Sequence, residues 1–196
     1  MRRTVINVLA FGGGFVIMSL ELLGGRVLAP YFGSSIYVWG SIITIFMLSL
    51  ALGYLIGGYV SVRNPSLQRF ALLFAFGAVL TYPLVLYGEP LMRAVFEQIE
   101  DPRYGSLVAG ATLFMLPTIV LGMISPYSVR LMVTQANHSG HVAGTLYFVS
   151  TLGSALGTLA TSFYLVLWFE INTILMLLTA GLLLLAAIGY VAGRYE

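Results

Sequence analysis

Apolar positions run along this chain in six long stretches with few polar breaks. Each is near or above the roughly 20 residues that an α-helix needs to cross a hydrocarbon core. The stretches cover about 5–29, 36–61, 68–88, 106–131, 142–168 and 171–193, joined by 30–35, 62–67, 89–105, 132–141 and a tight 169–170. The pattern predicts an all-α membrane protein, with one six-helix transmembrane domain over residues 1–196. The connection 89–105 has a periodicity of its own. Leu91, Met92, Val95, Phe96 and Ile99 share one helical face, with Arg93, Glu97, Glu100 and Asp101 largely opposite. Arg93 and Glu97 are four apart, a spacing that lets them pair. Residues 89–105 are therefore expected to form an outer amphipathic loop whose short helix lies on the membrane surface.

Composition agrees. The chain is 59% hydrophobic and 8% charged, with a mean hydropathy of +0.97. A soluble domain carries about 25% charged residues, so a water-facing surface is excluded. The net charge of +2 is small and scattered, which argues against a nucleic-acid partner. With no cysteine there is no disulfide, thiolate metal site or thiol nucleophile. Met1-Arg2-Arg3 resembles the start of a signal peptide, but the apolar run after it lacks a small-x-small cleavage site and continues past residue 20. It is expected to be a retained first helix.

Arginine placement predicts orientation. With the N-terminus inside, Arg2, Arg3, Arg63, Arg69, Arg130 and Arg194 lie on the inner side, against Arg93 and Arg103 outside. Such a bias predicts insertion in the cell (inner, cytoplasmic) membrane with both termini cytoplasmic.

The chain also repeats weakly. Residues 23–31 read Leu-Gly-Gly-Arg-Val-Leu-Ala-Pro-Tyr, and residues 121–127 read Leu-Gly-Met-Ile-Ser-Pro-Tyr, with the Pro-Tyr pairs 96 residues apart. The next stretch in each half carries small residues at fourfold spacing: Ser49, Gly53 and Gly57, then Gly153 and Gly157. Three helices repeated once form a 3+3 inverted repeat, resembling half of a major facilitator superfamily transporter. Such a half encloses no path alone, which points to a homodimer or to a second membrane chain.

Candidate chemistry is concentrated in residues 18–40. Glu21 and Arg26 are the only charges more than two residues inside the ends of the apolar runs. A charge at mid-membrane costs about 3 kcal/mol on insertion scales, so each needs a reason to be there. Five residues of helix turn through about 500°, which points the two roughly 140° apart and prevents direct pairing across a regular helix. Gly24, Gly25 and Pro30 favour a break. Two readings stay open. Glu21 faces a cavity and binds a cation or proton, or the two charges are structural, with Arg26 reaching outward to the interface. Tyr31, Tyr37 and Trp39 are either an interfacial aromatic belt or ring faces for a cationic amine.

Gly53, Gly57, Gly153 and Gly157 permit close helix contact. Pro117 and Pro126 flank Gly122, which predicts a kinked or interrupted fourth helix with freed carbonyls. His138 and His141 are read as solvated loop residues and not as a metal site. Gly12-Gly13-Gly14 lies in an apolar helix and is no nucleotide loop. No nucleophile–base set, Walker sequence or zinc motif is present, so neither an enzyme nor a cofactor is expected.

The run Met18-x-x-Glu21…Arg26-x-x-Ala29-Pro30-x-x-Gly33-x-Ser35-x-Tyr37-x-Trp39, followed by Leu50-Ala51-Leu52-Gly53, resembles the membrane part of the fused major facilitator/spermidine synthase-like family. Leu116-Pro117-Thr118-x-x-x-Gly122-x-x-x-Pro126 and Gly144-x-x-Tyr147-x-x-x-Thr151-x-Gly153-Ser154-x-x-Gly157 extend that resemblance over most of the chain. Ser150 stands where family members often have asparagine. The family usually continues into a soluble aminopropyltransferase-like domain, which residues 1–196 do not contain. The resemblance therefore implies a membrane module and not the synthase chemistry; with Glu21 as counter-charge, the expected function is to bind or move a small cationic, polyamine-like solute. The resemblance adds Tyr147 and Ser150 to Glu21, Arg26, Tyr31, Tyr37 and Trp39 as expected substrate contacts. A soluble synthase-like protein would be a separate partner. The alternative expectation is a structural or anchoring subunit of a membrane complex or of such an enzyme.

Overall fold

The computed structural model describes residues 2–133 and 139–195. Six helices long and apolar enough to cross a membrane run Arg2–Phe32, Ile36–Ser61, Leu67–Gln98, Pro102–Met132, Ser139–Trp168 and Ile171–Ala192. No strand occurs among the described residues. The first and sixth helices pack antiparallel, with Gly12 against Leu185 and Leu9 against Gly189, so both ends of the chain lie at one end of the bundle. We call that the terminal end and its opposite the distal end.

The first helix does not break at its glycine pair. It is continuous through Pro30, and Gly33 ends it in the left-handed region at φ 77°, its N–H reaching the carbonyl of Ala29 at 2.9 Å. The glycines serve close packing instead. A Cβ on Gly24 would lie 3.2 Å from Ile42 Cδ1, and one on Gly25 would lie 2.9 Å from the Trp39 ring. A residue pair that sequence alone marks as a hinge is held straight by what leans on it.

The fourth helix is interrupted as the prolines predict. Pro126 has no N–H to offer the carbonyl of Gly122. The break falls at Met123, at φ −63° and ψ −19°, whose N–H is shared between the carbonyls of Ile119 and Val120. The fifth helix contains a π-helical segment, Thr161–Leu165, that the sequence pattern did not reveal. There Thr161 donates a 2.9 Å hydrogen bond to the Ser19 hydroxyl of the first helix.

Residues 89–98, expected in a loop, extend the third helix through Pro83 and Pro90 to Gln98. The apolar face of this extension does not lie on lipid alone: Phe96 packs edge-on against Phe32 at 5.7 Å and beside Tyr31 at 6.2 Å. Arg93 pairs with Glu89 at 3.6 Å, and not with Glu97. Both spacings are one helical turn, and continuity of the helix from Gly88 brings Glu89 into reach.

The most extensive contacts join the first helix to the fifth, the second to the fourth, and the third to the sixth. The first two of these pairs are parallel and share a contact scheme. In the second and fourth helices, Gly53 abuts the Ile119 carbonyl, Gly57 abuts Met123, and Leu50 abuts Gly122. In the fifth and first, Gly153 abuts the Phe11 carbonyl, Gly157 abuts Phe15, and Ser150 abuts Gly14. Residues 50, 53 and 57 become 150, 153 and 157 by a shift of 100, and residues 11, 14 and 15 become 119, 122 and 123 by a shift of 108. By this register Gly14 is the counterpart of Gly122. The 96-residue spacing of the Pro-Tyr pairs does not follow this register. Two residues can coincide by chance, whereas a glycine pressed on a backbone fixes depth.

Candidate functional site

A cavity of about 430 Å³ opens between the first, second, fourth and fifth helices. Its lining follows the same two shifts. Gly13, Gly14, Ile17 and Met18 of the first helix correspond to Leu121, Gly122, Ser125 and Pro126 of the fourth. Leu50 and Tyr54 of the second helix correspond to Ser150 and Ser154 of the fifth. The cavity thus sits between the first–fifth and second–fourth helix pairs. Ile124, Tyr147 and Thr151 complete its wall.

The walls follow from local structure. Gly13 and Gly14, lacking side chains, let Ile124 and the Ser150 backbone press against the first helix, and Ser125 and Pro126 beyond the break at Met123 join the lining. Ser154 donates to the Gly14 carbonyl at 3.2 Å, which ties the fifth helix to the first at cavity depth. The lining carries hydroxyls and phenol rings but no charged side chain. Tyr54 and Tyr147 are 48% and 54% exposed on apolar helices, so part of this polar surface is uncovered.

A second cavity of about 500 Å³ lies near the distal end, between the first, third, fourth and sixth helices. Arg26 and Tyr31 line it with Glu89, Glu170 and Asn172. Arg26 and Pro30 are one turn apart, as are Val27 and Tyr31, so a single face of the first helix supplies all four. The Tyr31 hydroxyl donates to the Glu89 carbonyl at 3.5 Å.

The residues expected as one site are thus divided. Tyr147 and Ser150 line the central cavity, and Arg26 and Tyr31 line the distal one. Tyr37 lies under the Arg103 guanidinium, 5.2 Å from ring centre, and Trp39 covers Gly25. Glu21 is half-buried and lines neither cavity, but stands one turn beyond Ile17 and Met18 on their helix face. No ion pair joins it to Arg26, as the angle on an unbroken helix requires. Sequence reading missed Tyr54, Ser125 and Ser154. Their signal was the fourfold spacing of Leu50 with Tyr54 and of Ser150 with Ser154, beside the glycine seams.

His141 is exposed, and His138 lies outside the described residues. Among the described residues no cluster of His, Asp and Glu could hold a metal ion. Compared with known proteins, the chain matches no family model, no curated protein and no solved structure.

Proposed function

We propose that this chain is a six-helix, half-transporter-like membrane module, a 3+3 inverted repeat, that binds or moves a small cationic, polyamine-like solute as a dimer or with a second chain. The observation that carries the reading is the paired lining of the central cavity, six residues from one half matched to six from the other by two constant shifts. Inverted-repeat transporters bind their solutes at the repeat interface near the bilayer midplane. The exposed phenol faces of Tyr54 and Tyr147 suit an ammonium group by cation–π attraction, and the hydroxyls of Ser125, Ser150 and Thr151 can accept its N–H bonds. Glu21, one turn away, supplies the counter-charge in this scheme. The polar surface left open at that depth favours a facing chain, since lipid cannot satisfy hydroxyls. The motifs that resemble the major facilitator/spermidine synthase-like family, and the arginine bias toward the terminal end, support the proposal of this role in the cytoplasmic membrane. The chain itself performs no aminopropyl transfer in this reading.

Uptake of labelled spermidine by proteoliposomes holding the purified chain tests it. Glu21→Gln should abolish uptake while leaving gel-filtration behaviour unchanged. Unaltered uptake would sink the proposal.

A second reading has one observation in its favour. Phe163, Tyr164, Leu167 and Trp168 are exposed together at the distal end of the fifth helix, around its π segment. Such a surface fits an anchoring subunit that docks another membrane chain or holds a synthase-like enzyme. Mass measurement after detergent extraction separates the readings: a defined hetero-complex supports the anchor, and a symmetric dimer supports the half-transporter.

A further inference from the structure

The distal cavity holds two opposite charges that do not meet. Arg26 enters from the first helix and Glu170 from the start of the sixth, and no ion pair joins them. Glu89, the third charge on the rim, is turned toward Arg93 at 3.6 Å. Among the described residues, neither the Arg26 guanidinium nor the Glu170 carboxylate has a hydrogen bond or an ion pair. The floor beneath them is apolar: Leu84, Met92, Leu113, Phe114 and Leu175 are all buried.

Arg26 and Glu170 are exposed at the mouth of the cavity, and a singly charged ligand would match only one of them. A ligand carrying an anion and an ammonium on a short stem would meet both. We propose that this cavity binds a zwitterionic phosphoethanolamine-type headgroup. Arg26 takes the phosphate with its planar fork, and Glu170 takes the ammonium with Asn172 beside it. The volume of about 500 Å³ holds such a group with the first carbons of an aliphatic stem on the apolar floor. Two sources share this chemistry: an ethanolamine phospholipid from the adjoining leaflet, or a free glycerophosphoethanolamine. The site is separate from the central cavity, and the inference does not depend on transport.

Native mass spectrometry of the delipidated full chain in detergent tests it. The chain is titrated with dioleoyl phosphatidylethanolamine, with dioleoyl phosphatidylglycerol, and with glycerophosphoethanolamine as competitor. The ethanolamine lipid should bind about tenfold more tightly than the glycerol lipid; Glu170→Gln should remove that preference, and Arg26→Gln should weaken both lipids by about the same factor. Melting and gel filtration show that the variants remain folded. If the soluble headgroup displaces the lipid, the head alone suffices and the free compound is the ligand. If it does not, the lipid is the occupant. Equal binding of the two lipids, a preference that survives Glu170→Gln, or undiminished binding by Arg26→Gln overturns the proposal.

Discussion

Gly14 lies against the backbone carbonyl of Ser150, so closely that a methyl group on Gly14 would overlap the oxygen. This contact, and its counterpart between Gly122 and Leu50, joins lining residues and fixes the spacing within each of the two helix pairs that wall the central cavity. What happens at the seams therefore decides the shape of the site.

Adding a methyl group at a seam should destabilise the bundle. Gly153→Ala drives a Cβ into the Phe11 carbonyl, a backbone atom that cannot step aside. A loss of about 1–3 kcal/mol is expected, as for other overpacked cores. Gly181→Ala, with nothing within 4 Å, should be neutral or gain up to about 1 kcal/mol from helix propensity. Thermal melting of both variants in one detergent checks the contrast.

The Ser19–Thr161 hydrogen bond should show measurable coupling. Both side chains are buried, and the bond fastens the π segment to the first helix. A double-mutant cycle of Ser19→Ala and Thr161→Val should return about 0.6 kcal/mol and no more than about 1.7. A coupling indistinguishable from zero would show that the π segment is held by other contacts.

Cysteine labelling can map the cavity, because the natural chain has no cysteine to subtract. Ser125→Cys and Ser150→Cys should react with a cationic, membrane-impermeant thiol reagent once it reaches the open side of the cavity. Leu184→Cys, 63% exposed on the sixth helix, should resist labelling because its surroundings are lipid. Spermidine should protect the two cavity positions if the proposed function holds.

Removing a ring face should weaken amine binding. Tyr147→Leu should reduce spermidine affinity by about 2–30-fold, the range corresponding to a cation–π contact of about 0.5–2 kcal/mol. Tyr147→Phe, which keeps the ring, should retain most of it. Equilibrium binding to purified protein distinguishes the ring from the hydroxyl.

Much of the fold is legible from hydropathy alone. Six apolar runs of spanning length leave few options, since every backbone polar group in lipid must be satisfied within its own helix. The interruption near Gly122 is legible too, because Pro126 denies that carbonyl its helical donor, although Pro30, Pro83, Pro90 and Pro117 stay within continuous helices. Local covalent chemistry settles both.

The candidate site is far less legible, and residues 18–40 show why. Sequence marks Gly24 and Gly25 as a weak point and gathers Glu21, Arg26, Tyr31, Tyr37 and Trp39 by nearness along the chain. Packing of Ile42, Phe114 and Trp39 keeps the helix straight, and a straight helix sends Glu21 and Arg26 to different faces. Arg26 and Tyr31 then face the third and sixth helices, while the central cavity draws Tyr54, Ser125 and Ser154 from elsewhere. The sequence by itself determined the number of spanning helices and the interruption near Gly122, because those depend on apolar length and local hydrogen bonding. Only the tertiary structure decided which glycines are seams, which faces meet and which charges stay apart. Those depend on the angular register between helices far apart in the chain, which no local pattern encodes.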